Sequence, residues 1–105
     1  MPETACRIDV WLWRARFFKT RAMAARAVQD GRIRLTRPDG SQIRVDKASR
    51  PVRPGDSLVF ALSGRLHAVL IEGLGRRRGP AIEARALYVT ITYAPVQPLT
   101  IEPSG

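Results

Sequence analysis

Arginine is the residue type with the most chemistry to offer in this 105-residue chain. The 18 basic residues include only two lysines, Lys19 and Lys47, and stand against nine acidic residues, for a formal net charge of +9. Residues 1–54 carry 13 basic and 5 acidic side chains, whereas residues 55–105 carry 5 and 4. A guanidinium group binds two phosphate oxygens at once and stacks on bases. The pattern therefore indicates a polyanionic partner, either a nucleic acid or an anionic membrane face.

Residues suited to catalysis are scarce by comparison. The single histidine, His67, lies in an apolar segment, and the single cysteine, Cys6, is distant from it in sequence. These two residues do not make a Cys/His metal site, and the chain has neither a nucleophile elbow nor a P-loop. Gly73-Leu74-Gly75 begins like a dinucleotide-binding turn, but Arg78 stands where the third glycine belongs. The sequence predicts a non-enzymatic protein with no metal, no cofactor and no small-molecule substrate.

Length and hydropathy narrow the class of protein further. A chain of this size has room for one small domain. No uninterrupted apolar run approaches the roughly 20 residues that cross a bilayer, and the first residues lack the pattern of a secretory signal. A lone cysteine fits a reducing compartment. We therefore expect a cytoplasmic protein that is neither secreted nor membrane-spanning.

Two helices are predicted in the first third of the chain. A helix over about residues 7–17 is indicated by apolar residues at helical spacing, namely Ile8, Trp11, Leu12, Ala15 and Phe18. For the second helix, Thr20 is the predicted N-cap and Gly31 the left-handed C-cap residue. Its apolar stripe comprises Met23, Ala24, Ala27 and Val28. Because only a few residues connect the helices, we expect them to pack as a pair.

The rest of the chain has the alternating pattern of strands. Two alternating segments, around residues 33–35 and 43–45, flank the turn signal Asp39-Gly40 and predict a hairpin. A turn at residues 54–56 precedes a strand marked by Leu58, Phe60 and Leu62. Residues 66–71 are expected to form the most buried strand, residues 80–87 a short helix, and residues 88–93 a final strand. The predicted fold class is α+β, with two packed N-terminal helices against a small, mostly antiparallel sheet and a short C-terminal helix.

The predicted domain organisation has three parts. Residues 1–6 are a flexible lead-in, and residues 7–93 form a single domain. Its core motif covers about residues 7–62, and an additional strand, an arginine-rich loop and a short helix occupy residues 63–93. Residues 94–105 form a proline-bearing flexible tail.

The helical basic residues lie where a phosphate would be bound. Lys19, Thr20 and Arg21 fall at the start of the second helix, where free backbone N–H groups and the positive end of the helix dipole attract anions. The other basic residues of the helical pair in this set are Arg7, Arg14 and Arg26. Since eight uncompensated charges repel one another, we interpret them as a binding surface rather than as a solvated face.

Three further groups of residues leave alternatives open. The strand arginines Arg32, Arg34 and Arg44 alternate with apolar residues, so they either keep a sheet edge soluble or continue the basic surface. The loop arginines Arg76, Arg77 and Arg78 are either a phosphate clamp or a solubility device. The apolar residues Val10, Trp13 and Phe17 lie opposite the main stripe of the first helix, where core packing is favoured over stacking on bases or docking of a protein.

Several segments of the chain resemble a known RNA-binding domain. They are Arg7-Ile8-Asp9-Val10-Trp11-Leu12-Trp13, Arg16-Phe17-Phe18-Lys19-Thr20-Arg21, Ala25-Arg26, Gly31-Arg32-Ile33 and Pro54-Gly55-Asp56. Together they resemble the alpha-L motif, the S4-like domain of a small-subunit ribosomal protein. Within that group, Trp-Leu-Trp and Arg-Phe-Phe-Lys-Thr-Arg are similar to the ribosome-associated heat-shock proteins of the fifteen-kilodalton type. The similarity covers roughly residues 7–90.

This resemblance implies a function as well as a fold. It implies binding to structured RNA, in particular large-subunit ribosomal RNA, and a role in the rescue of stalled large subunits under heat stress. By motif position, the implied RNA contacts are Arg7, Lys19, Thr20, Arg21, Arg26 and Arg32, and Asp9 is expected to brace neighbouring basic side chains. We add Arg14 and Arg34 to the primary contacts, and we assign Arg44 and residues 76–78 as secondary contacts. The protein is expected to be a monomer.

Two other functions fit the sequence less well. The chain could be an accessory RNA-binding module for a separate RNA-modifying enzyme, or a protein–protein adaptor that uses Trp13 and Phe17. A double-stranded DNA binder is disfavoured because no helix-turn-helix recognition pattern is present. A peripheral membrane role is disfavoured because the first helix is short and no lipidation signal is present.

Overall fold

The computed structural model describes residues 4–91 and has the α+β fold that the sequence predicts. The helices of this part of the chain are α1 (Ile8–Arg14), α2 (Arg21–Gln29) and α3 (Ala81–Arg85). The strands are β1 (Cys6–Arg7), β2 (Ile33–Thr36), β3 (Gln42–Arg44), β4 (Pro51–Val52), β5 (Ser57–Leu62), β6 (Arg65–Ile71) and β7 (Tyr88–Thr90). No helix in residues 4–91 has the length and apolar character needed to span a bilayer.

A five-stranded antiparallel sheet supports the two N-terminal helices. Its strand order is β3-β2-β5-β6-β7, and β1 pairs separately with β4. Leu35 lies opposite Ile43 on one side and opposite Leu58 on the other, and Leu58 lies opposite Val69. Because antiparallel partners project from the same face of a sheet, these side chains form one apolar surface. That surface and the apolar stripes of α1 and α2 enclose the core.

Helix α1 ends at Arg14, three residues before the predicted end. Arg16 adopts the left-handed conformation, with φ of 67°. The Arg16 N–H donates to the Trp13 carbonyl at 3.0 Å, and the Phe17 N–H donates to the Leu12 carbonyl at 3.1 Å. This pattern closes a helix and is usually marked by glycine, which is why the sequence does not reveal it. The predicted apolar residues from Ile8 to Phe18 are nevertheless all buried.

Both predicted caps of α2 are confirmed. The Thr20 hydroxyl oxygen accepts a hydrogen bond from the Met23 N–H at 3.0 Å, and Gly31 has φ of 73°. Ala24, Ala27 and Val28 are buried as expected, but Met23 is 50% exposed. The prediction for Met23 is wrong because this residue lies at the edge of the buried stripe, in the first turn of the helix.

The prediction that residues 66–71 form the most buried strand is wrong at one end. Ala68, Val69 and Ile71 are buried, but Leu66 is 57% exposed. Leu66 pairs with Ala61 near the tip of the β5–β6 hairpin, on the sheet face that the helices do not cover. A continuous apolar run therefore indicated a strand correctly, but it did not indicate burial on both faces.

The ends of the domain differ from their predicted positions. Cys6, assigned to the flexible lead-in, is buried and pairs with Val52 in the small sheet, so the ordered fold begins one residue earlier than predicted. Strand β7 ends at Thr90. Ile91 lies just beyond this strand, and residues 92–93 of the predicted strand, with the predicted tail over residues 94–105, lie outside the described residues.

Phe17 belongs to an aromatic cluster at the core boundary. Its ring centroid lies 5.1 Å from that of Phe60 and 4.8 Å from that of Tyr88. His67 stacks on Phe60 with centroids 5.4 Å apart. Val10 also packs against the core, while Trp13 is half-buried. These contacts support the core interpretation of Phe17 and leave little of its ring available for an adaptor function.

Asp56 anchors the turn between β4 and β5. Its carboxylate is buried and accepts hydrogen bonds from the Arg37 guanidinium at 2.8 Å and from the Arg53 N–H at 2.9 Å. The Arg37 side chain is 21% exposed, so one end of the ion pair still reaches water. A buried carboxylate with two donors is stable only while both donors remain.

We expect Asp56→Ala to lower the free energy of unfolding by about 2–3 kcal/mol, because it leaves two hydrogen-bond donors without their acceptor. The loss is smaller than for a fully buried ion pair because the Arg37 guanidinium reaches solvent. Urea denaturation followed by tryptophan fluorescence measures the change. Asp46→Ala removes an exposed carboxylate and serves as the control. A stability within 0.5 kcal/mol of wild type for Asp56→Ala would contradict this role.

The hairpin turn between β2 and β3 contains a carboxylate, that of Asp39, whose pKa is lowered by hydrogen bonds within the turn. The Ser41 hydroxyl donates to Asp39 at 2.7 Å and the Ser41 N–H donates at 2.9 Å, and these bonds lower the pKa of Asp39. Because the folded pKa is depressed, the contribution of Asp39 to turn stability is present above its ordinary pKa. It is lost as the pH falls through the folded pKa.

Ser41→Ala is therefore expected to raise the pKa of Asp39 toward its ordinary value, since the largest cause of the shift is the hydroxyl hydrogen bond. An NMR titration of the Asp39 side-chain carboxyl carbon measures this change. Ser49→Ala is the control and should leave that titration as it is in the wild type. An unchanged Asp39 titration in Ser41→Ala would show that the hydroxyl does not act on the carboxylate.

Candidate nucleic-acid interface

The N-terminus of α2 combines two cations with a positive helix end. Lys19, Thr20 and Arg21 are all exposed there. The Thr20 side chain caps the Met23 N–H, which fixes the direction in which the chain enters the helix. In a nine-residue helix, the N–H groups of the first turn have no partner within the helix and favour an anion. The groups expected to bind a phosphate therefore lie together at this helix end, and phosphate binding there stays a prediction.

Two more cations lie along and beyond α2. Arg26 is exposed in its last turn, and Arg32 is exposed immediately after it. The Gly31 turn sets the direction of Arg32, whose N–H donates to the Ala27 carbonyl at 3.1 Å. Within the described residues, no carboxylate lies within 4.0 Å of the cations on this surface, which are Lys19, Arg21, Arg26 and Arg32. We call these four residues with Thr20 the α2 basic face.

Arg34 and Arg44 form a separate pair on the sheet. Their Cα atoms are direct partners across β2 and β3, and both side chains are exposed on the face away from the helices. Like charges directly opposite each other are unfavourable unless an anion or solvent screens them. Strand β3 is an edge of the sheet, so protection of that edge and binding of an anion both remain compatible with the pair. Arg32 lies one residue before β2, and its place on this face stays a prediction.

Arg7 is paired with an internal carboxylate. Its Nε and Nη2 atoms donate to the two Asp9 oxygens at 3.0 and 2.9 Å. The Asp9 hydrogen bond and charge raise the pKa of the Arg7 guanidinium above its ordinary value. Asp9 is buried, whereas the Arg7 side chain is 51% exposed. The bracing role expected for Asp9 is thus seen, and Arg7 presents a partly compensated charge.

Arg14 is engaged inside the fold. Its Nη1 atom donates to the Gly75 carbonyl at 2.9 Å and to the Leu74 carbonyl at 3.3 Å, and it lies 3.7 Å from the Cys6 sulfur. Trp11 donates from its indole nitrogen to the Gly73 carbonyl at 2.8 Å. Arg14 is half-buried, unlike the cations of the α2 basic face. Its position favours a structural role for the guanidinium.

Arg16 extends the same set of contacts and was not among the predicted site residues. Its Nε atom donates to the Gly79 carbonyl at 2.6 Å. Side chains at the end of α1 therefore fix the loop of residues 73–79 at four positions. No sequence signal marks this role, because it depends on the left-handed turn at Arg16 and on a contact between residues 63 positions apart in the chain.

The loop arginines differ from one another. Arg76 and Arg77 are exposed, and Arg77 is paired with Glu83 at 2.8 Å. Arg78 is half-buried. Because side chains of α1 donate hydrogen bonds to the loop carbonyls, the backbone from which these arginine side chains extend is held in place. Neither predicted role, phosphate clamp or solubility device, is excluded by this geometry.

Comparison with known proteins identifies a matching domain family and several relatives of this chain. Residues 6–35 match the S4 domain family. Heat shock protein 15 of Escherichia coli strain K12 is 32% identical over 87 residues, which cover 83% of this chain and 61% of that protein. The heat shock protein 15 homolog of Haemophilus influenzae is 32% identical over 88 residues, covering 84% of this chain and 63% of the homolog. The chain thus spans somewhat less than two thirds of the length of these curated relatives.

A solved structure is similar over a larger share of its own length. The trimeric structure of Vibrio cholerae heat shock protein 15 superposes with a TM-score of 0.74 at 30% identity, covering 84% of this chain and 83% of that one. The fold and the exposed α2 cations, together with the match over residues 6–35, define an S4-domain protein. More narrowly, the chain belongs to the heat shock protein 15 family. The trimer is a property of the Vibrio protein, and the monomer expected for this chain stays a prediction.

Arg14→Met is expected to lower the free energy of unfolding by about 2 kcal/mol, because it removes charged hydrogen bonds to the loop carbonyls while keeping an aliphatic stem. Urea denaturation measures this change. Arg26→Met, at an exposed position with no carboxylate within 4.0 Å among residues 4–91, is the control and should stay within 0.5 kcal/mol of wild type. Unchanged stability with weakened RNA binding would instead make Arg14 the RNA contact first predicted.

Proposed function

We propose that this chain is a non-enzymatic, cytoplasmic RNA-binding protein that docks on ribosomal RNA through the α2 basic face. The observation that carries this proposal is the set of four exposed cations with no carboxylate partner among the described residues. Three of them, Lys19, Arg21 and Arg26, surround a helix whose first turn favours anions, within the segment that matches the S4 domain family. A like-charged cluster of this kind is stabilised when phosphate groups lie against it.

The proposed mechanism has two parts. Neutralisation of phosphates by Lys and Arg releases condensed counterions, which supplies most of the affinity and makes it fall with salt concentration. Selectivity comes from the shape of folded RNA, because side chains do not enter the deep, narrow major groove of an RNA helix. Lys19 and Arg21 contact one position on the RNA backbone, and Arg26 and Arg32 contact another.

The proposed target is the large ribosomal subunit, and the proposed cellular role is the rescue of stalled large subunits under heat stress. Membership of the heat shock protein 15 family supports both statements. Secondary contacts are proposed for the sheet pair of Arg34 and Arg44 and for the loop arginines. The protein acts as a monomer in this proposal, and sedimentation of the free chain distinguishes a monomer from a trimer.

Replacing Arg21 and Arg26 together with alanine should weaken binding to a structured fragment of large-subunit ribosomal RNA. It should also flatten the slope of log affinity against log salt by about 0.7 to 0.9 for each lost phosphate contact. Titrations at several salt concentrations measure both quantities. The control is Arg65→Ala with Arg85→Ala, which removes the same charge from exposed positions outside the α2 basic face.

An unchanged slope in the Arg21 and Arg26 variant would contradict the assigned contacts. An equal fall in slope in the control would show that net charge alone, rather than the α2 basic face, determines binding.

A further inference from the structure

A cavity of about 220 Å³ lies beside the arginine loop. Arg14 of α1 lines one side, Arg76 and Arg77 of the loop line another, and Ala84 of α3 with Leu87 provides apolar surface. The cavity is smaller than the roughly 300–1,000 Å³ typical of sites for drug-sized molecules. It therefore suits a group of the size of one nucleotide base.

Two glycines allow the lining of the cavity to pack closely against the loop. A Cβ atom on Gly75 would lie 3.1 Å from a methyl carbon of Leu87, and φ at this residue is 72°. A Cβ atom on Gly79 would collide with a carboxylate oxygen of Glu83. Any other residue at these positions would therefore strain the backbone or push into the lining. The bare backbone at both positions lets the side chains of Leu87 and Glu83 pack directly against the loop.

The lining of the cavity contains both positive and negative charges, so a ligand must carry an anionic group and a hydrogen-bond donor. Arg76 is exposed and has no carboxylate within 4.0 Å among residues 4–91. Glu83 uses Oε2 to bind Arg77, while its Oε1 accepts no hydrogen bond from any described residue. A bare phosphate would suit Arg76 but would be repelled by Glu83. A nucleotide whose base carries an amino group satisfies both, because the amino group donates to the carboxylate and the phosphate contacts the arginine.

The cavity adjoins the connection that leads into the α2 basic face. The Arg16 hydrogen bond to the Gly79 carbonyl holds the loop against the end of α1, three residues before Lys19. RNA bound along the α2 basic face therefore passes close to the cavity. Unpaired nucleotides are the part of an RNA whose bases are free to turn out and stack on arginine or apolar surfaces.

We propose that this cavity binds one unpaired nucleotide with an amino-bearing base, such as cytidine, from the RNA that the α2 basic face holds; the inference rests on the proposed function. The base lies against the apolar surface of Ala84 and Leu87, and its amino group donates to Glu83 Oε1. The adjoining phosphate contacts Arg76. The cavity thereby adds a base preference to a surface that otherwise reads only phosphates.

Mononucleotides test the cavity without any requirement for RNA binding. CMP and UMP differ in that CMP carries an amino group where UMP carries a carbonyl oxygen. In amide NMR titrations, CMP should shift the signals of Gly75, Gly79 and Ala84 at millimolar concentrations. UMP should bind at least about fivefold more weakly, as expected for one lost hydrogen bond. Glu83→Gln should reduce this preference to less than about twofold.

Several results would overturn the inference. These are equal affinities for CMP and UMP, the same shifts with inorganic phosphate at the same concentration, or shifts confined to residues 19–32. A Glu83→Gln variant that keeps the full preference for CMP would also exclude the carboxylate as the recognising group.

RNA hairpins that carry a single bulged cytidine or uridine then separate this inference from the proposed function. The cytidine hairpin should bind wild type at least about fivefold more tightly. Arg76→Ala should weaken binding of the cytidine hairpin more than the charge-matched control Arg85→Ala does. If Arg21→Ala with Arg26→Ala weakens both hairpins but the bulged base makes no difference, the cavity inference fails and the proposed function stands. If wild type binds neither hairpin and no ribosomal RNA fragment, the proposed function fails, and the mononucleotide titrations alone decide the cavity.

Discussion

The hydrogen bonds from α1 to the loop of residues 73–79 are the constraint on which the arrangement of charges depends. Carbonyl groups in a partly buried loop need donors, and four of them receive donors from Trp11, Arg14 and Arg16. The contacts join the first helix to a segment about 60 residues later in the chain. As a result, the second group of arginines extends from a loop that is fixed to the same helical pair as the α2 basic face.

The ion-paired carboxylates of the described residues lie outside the α2 basic face. Asp9 and Asp56 are buried and hold Arg7 and Arg37, and Glu83 holds Arg77. Asp9 and Asp56 are desolvated and therefore require strong donors, whereas the Arg77 and Glu83 pair is exposed. No carboxylate among the described residues lies within 4.0 Å of the cations of the α2 basic face. The repulsion among these cations persists in the free protein and is relieved when an anion binds.

Most of the fold could be predicted from the sequence, because it rests on local signals. Thr20 and Gly31 are residues with specific roles at helix ends, and Asp39-Gly40 marks the hairpin, so α2 and the β2–β3 pair were placed correctly. The end of α1 was predicted wrongly, because Arg16 adopts a left-handed conformation that is unusual for arginine. The exposure of Leu66 was missed because an apolar run does not show which sheet face the helices cover.

The candidate site likewise contains residues that local sequence signals place and residues whose roles depend on contacts between distant parts of the chain. Residue type and spacing were enough to place Lys19, Thr20 and Arg21 at a helix N-terminus. They were not enough to distinguish Arg14, which faces loop carbonyls, from Arg26, which faces solvent, because that difference depends on contacts between distant parts of the chain. The acidic partner of Arg77 and the cavity beside it were likewise invisible before the fold was known.

Ultraviolet crosslinking of the protein to large-subunit ribosomal RNA, followed by mass spectrometry of the crosslinked peptides, tests the central claim most directly. Crosslinks should concentrate in peptides that contain residues 19–34, with a second set in residues 75–79. Crosslinks confined to the β5–β6 hairpin, with none in residues 19–34, would show that the RNA lies on another surface of the molecule.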